Sequence, residues 1–250
     1  MPIEKTEAIV IKTHKYHETS KIATLYTKRF GKISVIAKGI RKTDSKYGGI
    51  METINLISVI FYYKSGKSVH LLKECDLVNS FNDVRSDLNK TAVAYAILEL
   101  LNCTIVEEEE NEKVYNFLVN VINNLSEVKK NVINFYWYFT LKLICELGFT
   151  INFSKCVKCN KEDLLDKVYF MIVEGGLVCK ECSRTKDIDF DISLEALKIL
   201  NKLQEMPLHS VCNIIPSTRS IMEINEILHR FMRYHIDGFK VPVALKLISN

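Results

Sequence analysis

Proline and glycine are scarce in this chain, with 4 and 9 residues among 250. Together with 48% hydrophobic and 26% charged residues, this scarcity excludes a disordered chain and a collagen-like repeat. The longest apolar runs, around residues 55–63 and 132–144, are too short or too interrupted to cross a bilayer. The amino end lacks the basic start and apolar stretch of a signal peptide. We therefore expect a soluble, cytoplasmic protein with more than one domain and no membrane contact.

The sequence also lacks the common catalytic and nucleotide-binding motifs. It contains no zinc-protease H-E-x-x-H, no Rossmann G-x-G-x-x-G and no deaminase signature. Gly66-Lys67-Ser68 looks like the end of a phosphate-binding loop, but Phe61 stands where the first glycine is required. The six histidines form no triad and no ligand pattern. We therefore expect a protein that is not an enzyme.

Positive charge is concentrated near the amino end, although the net charge is only +4. Residues 1–80 carry 14 Lys and Arg against 7 Asp and Glu, whereas the remaining residues carry 20 against 23. The segment 28–46 alone holds seven basic residues and one acid, Asp44. A basic segment on a near-neutral protein indicates a polyanionic partner, and a merely solvated face is the alternative.

The first 80 residues read as strands. Five short segments rich in β-branched and aromatic residues are separated by turns, and the segments are 7–12, 22–26, 33–37, 53–63 and 68–78. Five short strands can close into a small barrel, which removes exposed sheet edges. We therefore predict a five-stranded OB-fold β-barrel over residues 1–79, with an SH3-like barrel as the alternative.

The second region, residues 80–250, reads as helical. Apolar residues follow helical spacing in five segments, namely 92–101, 114–125, 132–147, 194–204 and 220–235. Ser193 is placed to begin one helix, Ser220 and Glu223 have the spacing of a capping box, and Gly148 is suited to end a helix. The run Glu107–Glu110 reads as a solvated loop or helix start. The fold class is therefore multi-domain α+β, with an insert at residues 151–191.

The insert contains two cysteine pairs, Cys156-Val157-Lys158-Cys159 and Cys179-Lys180-Glu181-Cys182. Two residues between cysteines let a tight turn aim both sulfurs at one point, and Zn²⁺ takes four thiolates tetrahedrally. Residues 167–173, the turn at Gly175-Gly176 and residues 177–179 form a hairpin that returns the second pair to the first. We predict one structural Zn²⁺ per chain, since no position is left for water. The other four cysteines are expected in cores, namely Cys75, Cys103, Cys145 and Cys212.

Three stretches near the amino end resemble the start of the bacterial RecO recombination-mediator family. They are Glu7-Ala8-Ile9-Val10-Ile11-Lys12, then Glu18-Thr19-Ser20-Lys21-Ile22-Ala23-Thr24-Leu25-Tyr26-Thr27, and then Phe30-Gly31-Lys32-Ile33-Ser34-Val35-Ile36-Ala37-Lys38-Gly39-Ile40-Arg41. Lys46-Tyr47-Gly48-Gly49 and the order barrel, helices, four-cysteine insert and returning helices also fit. The C-terminal segment 238–243 departs from the more basic, serine-containing ending of relatives.

The resemblance implies a DNA-binding OB-fold with a role in recombinational DNA repair. It implies strand annealing and the loading of RecA onto single strands coated by single-stranded-DNA-binding protein. The implied partners are single- and double-stranded DNA, RecR, the C-terminal tail of single-stranded-DNA-binding protein and, indirectly, RecA. It also implies a bacterial cytoplasmic location at the nucleoid.

The basic segment and the barrel together predict the DNA-binding side chains. On an OB-fold, strands 2 and 3 and the adjoining loops commonly bind oligonucleotides. We therefore assign phosphate contacts, without sequence readout, to Lys32, Lys38, Arg41, Lys42 and Lys46. Either Phe30 or Tyr47 is a candidate for stacking on a base, and packing on the barrel is the alternative. Competing functions are an RNA-binding or transcription/translation factor, a protein scaffold and a metal hydrolase.

Overall fold

The structure is a computed structural model that describes residues 2–40, 49–67, 69–162, 168–184 and 190–248. The chain divides into two compact units, residues 1–127 and 128–250, which are described separately. The first unit holds a barrel with three helices, and the second holds three helices with a small sheet.

Five strands form a closed barrel in the first unit, as predicted. They are β1 (Ile3–Tyr16), β2 (Ser20–Thr27), β3 (Gly31–Ala37), β4 (Leu56–Tyr62) and β5 (Val69–Asn79). The order around the barrel is β1-β2-β3-β5-β4, with β3 and β5 parallel and all other neighbours antiparallel. This mixed five-stranded closure is OB-like and confirms the predicted fold class.

The long first strand closes the barrel because it pairs with two partners. Its first half, Ile3–Ile9, pairs with β4, and residues from Ala8 onward pair with β2. A β-bulge between Val10 and Lys12 bends the strand between these pairings. Alternate residues then point inward, and the core includes Val10, Leu25, Val35, Val59 and Phe61.

Three helices complete the first unit: α1 (Asn82–Arg85), α2 (Leu88–Thr104) and α3 (Glu112–Glu127). Asp87 begins α2 by accepting a hydrogen bond from the Lys90 backbone N–H at 3.0 Å. The acidic run between α2 and α3 exposes its side chains, but its backbone is attached to the barrel. The Glu108 N–H donates to the Lys32 carbonyl at 3.0 Å.

Glycine is required where this acidic loop meets the barrel. Gly31 has a φ of +59°, and a Cβ built there would lie 2.1 Å from the Glu109 carbonyl oxygen. No side chain fits such a gap, so the absence of a Cβ lets the two backbones approach.

The second unit contains α4 (Ile133–Glu146), α5 (Leu194–Glu205) and α6 (Thr218–His235). The aromatic run of α4 is buried, as its all-round apolar sequence requires. Gly148, with φ +86°, ends α4 in a Schellman motif, and the Ser193 hydroxyl begins α5 by accepting from the Ala196 N–H at 3.2 Å. Both predicted helix ends are confirmed.

Two local predictions in this unit are wrong. Ser217 and not Ser220 begins α6, since its hydroxyl accepts from the Ser220 N–H at 3.2 Å. Glu223 instead accepts a hydrogen bond from the Ser193 N–H at 3.1 Å, so tertiary contact replaces the local capping box. Cys145 is exposed on the last turn of α4 and is not a core residue.

The insert folds into a four-stranded sheet with the order β6-β8-β7-β9. Its strands are β6 (Asn152–Cys156), β7 (Val168–Met171), β8 (Gly176–Val178) and β9 (Phe190–Ile192). The expected hairpin is present, because β7 pairs antiparallel with β8 through Tyr169↔Val178 and Met171↔Gly176. The outer strands β6 and β9 have no clear sequence signal, since each is short and finds its partner far along the chain.

Candidate nucleic-acid interface and metal centre

The four cysteines of the insert lie together. Cys156 ends β6, Cys159 follows in the next turn, Cys179 follows β8 and Cys182 begins a 3-10 turn. Their sulfur atoms all lie within 4.8 Å of one another, and the Cys159 and Cys179 sulfurs are 3.7 Å apart. Among the described residues, this is the group of histidine, cysteine and acidic side chains arranged to hold a metal ion.

Backbone contacts between the two cysteine pairs hold this geometry. The turn after β6 is closed by the Asn160 N–H donating to the Cys156 carbonyl at 2.8 Å. The Val157 N–H donates to the Leu177 carbonyl at 2.8 Å, which ties the first pair to β8. A Cβ at Gly176 would lie 2.3 Å from a methyl group of Val157, so glycine permits this approach.

The protein environment treats the thiols differently. Burial of Cys156 disfavours its charged form, but backbone N–H groups, including that of Cys179, donate to its sulfur and lower its pKa to about 6. Burial raises the pKa of Cys179 to about 12. A bound cation would offset the cost of burying the second charge, because metal ligation deprotonates thiols.

The four sulfurs fit a tetrahedral cation. With metal–sulfur bonds of ~2.3 Å, neighbouring sulfurs of a tetrahedron lie about 3.8 Å apart, close to the observed Cys159–Cys179 separation. The four thiolates would fill every position, leaving none for a reacting water. The cluster is therefore compatible with a structural metal site.

A second surface is formed by strand register in the barrel. His14 pairs with Ile22, Ile22 with Ile36, and Ile36 with Leu71, so one row crosses four strands. The neighbouring row contains the fully buried Ala23 and Val35, and side chains alternate between faces along a strand. The first row therefore points away from the core.

Lysines surround this apolar row. Lys12 precedes His14 by two residues on β1, Lys38 follows Ile36 just beyond the end of β3, and Lys73 follows Leu71 at an irregularity in the β4–β5 register. All three lysines are exposed. We call this surface the outer face, and it comprises Lys12, His14, Tyr16, Ile22, Ile36, Lys38, Val69, Leu71 and Lys73.

The charge of the outer face is of one sign. None of the nine residues that define the outer face is acidic, and the acids nearest to them in the sequence are Glu18 and Glu74. Tyr16 is 39% exposed and Leu71 is 37% exposed, so the face presents an aromatic ring and aliphatic side chains between lysines. Such a combination is typical of single-strand nucleic-acid grooves.

The predicted basic residues separate into three groups. Lys38 lies on the outer face, whereas Arg41, Lys42 and Lys46 lie outside the described residues, as does Tyr47. Lys32 is buried, and its ammonium group donates to the Asn102 carbonyl at 2.8 Å. Burial lowers the pKa of Lys32, with nearby Glu107 opposing the shift. Its ammonium therefore makes an internal hydrogen bond within the first unit, and its predicted phosphate contact stays a prediction.

Other basic and aromatic side chains of segment 28–46 also make contacts within the first unit. Lys28 lies 3.3 Å from Glu112, and Arg29 lies 3.8 Å from Glu4. Phe30 packs on Phe61 with ring centroids 5.4 Å apart, so it is part of the barrel and not an open stacking platform. In the described part of the segment, Lys28, Arg29 and Lys32 thus have partners within the first unit, so the charge count overstated the free cations there.

Sequence reasoning missed Lys12, Tyr16 and Lys73. Lys12 and Tyr16 share β1, whereas Lys73 follows 57 positions later on β5 and joins them only through the pairing of β1, β2, β3 and β5. The available signal was the aromatic-basic stretch Lys15-Tyr16-His17 at the end of β1, because the β1–β2 connection of an OB-fold adjoins its binding surface.

No helix among the described residues is long and apolar enough to span a bilayer.

The fold and the sites define a class of protein that combines an OB-like barrel, helices and a four-cysteine module. Two family models cover most of the chain, Recombination protein O N terminal at residues 1–81 and Recombination protein O C terminal at residues 85–242.

Similar proteins agree with these models. "DNA repair protein RecO" of Chloroherpeton thalassium is 31% identical over 242 residues, covering 94% of this chain and 93% of the relative. The proteins of the same name from Caldanaerobacter subterraneus subsp. tengcongensis, at 30% over 93% of each chain, and Thermoanaerobacter sp., at 29% over the whole of each, are also similar. The chain belongs to the RecO family, whose members are named DNA repair proteins.

Proposed function

We propose that the protein is a non-enzymatic recombination mediator that binds single- and double-stranded DNA without sequence specificity. The observation that carries this proposal is the outer face, where Lys12, Lys38 and Lys73 surround exposed apolar and aromatic side chains without a carboxylate. Membership of a family named for DNA repair supports DNA as the polyanion. An RNA-binding factor with a barrel and a zinc module is the second candidate.

Lysine side chains account for the lack of sequence readout. An ammonium group on a flexible stem is a point charge that contacts phosphates without reading base edges. Three such contacts on a single strand give a slope of log K against log salt of about −2. If Arg41, Lys42 and Lys46 also bind phosphates, the slope becomes about −4.

Strand annealing requires no bond chemistry. A cationic surface lowers the repulsion between two phosphate backbones, and base pairing supplies the driving force. We propose that this surface brings complementary strands together and that the protein helps RecA load onto single strands coated by single-stranded-DNA-binding protein. RecR and the C-terminal tail of single-stranded-DNA-binding protein are the proposed protein partners, in the bacterial cytoplasm at the nucleoid.

We propose that Zn²⁺ is the metal of the four-cysteine cluster. Four thiolates suit Zn²⁺, which prefers sulfur and nitrogen ligands in a closed tetrahedral site. The residues that would hold it are Cys156, Cys159, Cys179 and Cys182. Bound there, the ion would stabilise the module by linking its two cysteine turns.

Fluorescence anisotropy over a salt series tests the DNA-binding proposal. Labelled single-stranded DNA, duplex DNA and RNA of equal length are compared with the full chain. We expect binding to both DNA forms, with a slope between about −2 and −4 on single strands. A slope near zero overturns the proposal, and a marked preference for RNA favours the second candidate.

A matched pair of triple variants locates the binding surface. Replacing Lys12, Lys38 and Lys73 by Ala should lower affinity and reduce the magnitude of the slope by about 2. The control replaces three exposed lysines of the second unit, Lys129, Lys198 and Lys202. Equal losses in both triples would contradict the assignment to the outer face.

A further inference from the structure

A cleft of about 620 Å³ opens at the end of the β1–β2 hairpin, on the outer face. Its volume is in the range of small-ligand sites, roughly 300–1,000 Å³. The walls include Tyr16, Ser20, Ile36, Lys38 and Gly39. Among the described residues, its lining contains one lysine and no carboxylate, so the charge suits an anionic ligand.

The Tyr16 ring is held at this cleft by its surroundings. Tyr16 is the last residue of β1 and pairs with Ser20 across a three-residue turn, so its backbone belongs to the barrel. Its ring contacts the His17 ring edge-to-face, with centroids 4.2 Å apart. The ring nevertheless stays 39% exposed. An exposed aromatic ring on a fixed backbone loses little entropy when a planar ligand stacks on it.

We propose that this cleft receives one unpaired nucleobase, which stacks on Tyr16 while the adjoining phosphate contacts Lys38. The proposal rests on the proposed DNA-binding function and names the ligand of one part of the outer face. An aromatic ring beside a lysine is the arrangement by which single-strand binders hold a base and its phosphate.

The consequence is a preference for single strands at this position. A base within a duplex is already stacked and paired, and it must leave the stack before it can enter the cleft. The lysines of the outer face attract both DNA forms, whereas Tyr16 adds affinity only for the unpaired one. Stacking also explains why this site would bind DNA of any base sequence, since every base has a π-face.

The test uses Tyr16→Leu, which retains apolar packing but removes the planar ring, and Tyr16→Phe, which retains the ring. Three ligands of equal length are compared by anisotropy: oligo-dT, an abasic single strand and a blunt duplex. Tyr16→Leu should weaken binding to oligo-dT about ten-fold, which is typical of losing one base–aromatic stack. Binding to the abasic strand and the duplex should stay unchanged, and Tyr16→Phe should behave as the wild type.

Tyr234→Leu is the matched control, since Tyr234 is 58% exposed and contacts His235 edge-to-face with centroids 4.9 Å apart. It should leave all three affinities unchanged. If Tyr16→Leu loses as much affinity for the abasic strand as for oligo-dT, or loses none for oligo-dT, the stacking proposal is overturned. The proposed DNA-binding function is not affected by that result as long as the wild-type protein binds DNA. Wild-type protein that binds none of the three ligands overturns the proposed function itself, and the cleft assignment with it.

Discussion

The metal centre and the outer face are built in opposite ways. The four cysteines belong to two short motifs, in which spacing joins each pair and a hairpin between the motifs brings the two pairs together. The outer face gathers residues from β1, β2, β3 and β5, which are up to 61 positions apart. The comparison teaches that a site encoded by local spacing is visible in one sequence, whereas a site encoded by strand register requires the pairing to be known.

The largest expected effect is a loss of stability in the second unit when a metal ligand is removed. Cys156→Ser should abolish bound Zn²⁺ and destabilise the second unit by more than about 4 kcal/mol, because metal binding and folding are coupled. Metal analysis and urea unfolding measure this effect. The control Cys145→Ser changes an exposed cysteine outside the cluster and should keep the metal, with a stability change within about 0.5 kcal/mol. Full metal content in Cys156→Ser would contradict the site.

The second effect tests the barrel unit. Gly31→Ala should destabilise the first unit by about 3 kcal/mol, because the new Cβ meets the Glu109 carbonyl at 2.1 Å in a backbone with φ +59°. Gly66→Ala is the matched control, since Gly66 has φ +72° but open space around its Cβ position. We expect it to cost about 1 kcal/mol from backbone strain alone. Equal costs by urea unfolding would mean that the acidic loop does not lie against β3.

A pH-dependent effect belongs to the second unit. Burial lowers the pKa of His229 to about 4, with Glu226 opposing and Arg233 adding to the shift, and its ring contacts the Tyr136 hydroxyl at 3.0 Å. The unfolded chain binds the proton near pH 6.5, so stability falls between pH 6.5 and 4 by roughly 3 kcal/mol. Above pH 6.5 this contribution is constant.

Comparing His229→Gln with the wild type by urea unfolding across this range isolates the contribution. The variant should lack that part of the pH dependence, while His209→Gln, at an exposed position, should retain it. Parallel pH profiles for His229→Gln and the wild type would show that His229 titrates normally.

The smallest expected effects are those of replacing Lys32 and Lys38, the lysines near the two ends of β3. Lys32→Met removes the hydrogen bond to the Asn102 carbonyl and should cost about 1 kcal/mol of stability without changing the salt slope of DNA binding. Lys38→Ala should reduce the magnitude of the slope by about 0.7 and leave stability within about 0.5 kcal/mol. Anisotropy and urea unfolding check both variants. A change of salt slope in Lys32→Met, or a loss of stability in Lys38→Ala, would contradict the assignment of Lys32 as buried and Lys38 as exposed to DNA.

Much of the fold was readable because its signals are local. The five strands, the helices α2 to α6 and the ends at Ser193 and Gly148 follow from periodicity and capping within a few residues. The capping box at Ser220 failed because Glu223 bonds to Ser193, a residue 30 positions away. The division at residue 79 stays a prediction, although the two family models meet at residues 81–85.

By itself the sequence determined the element types and the cysteine spacing, since backbone preferences and tight turns act over a few residues. The tertiary structure alone decided which cations are presented. Lys32 and Lys38 are six residues apart and chemically identical, yet one donates to a helix carbonyl and the other faces solvent. The physical reason is that alternation along β3 points both lysines away from the barrel core, but α2 and the acidic loop pack over the Lys32 end, and that packing is not written in the local sequence.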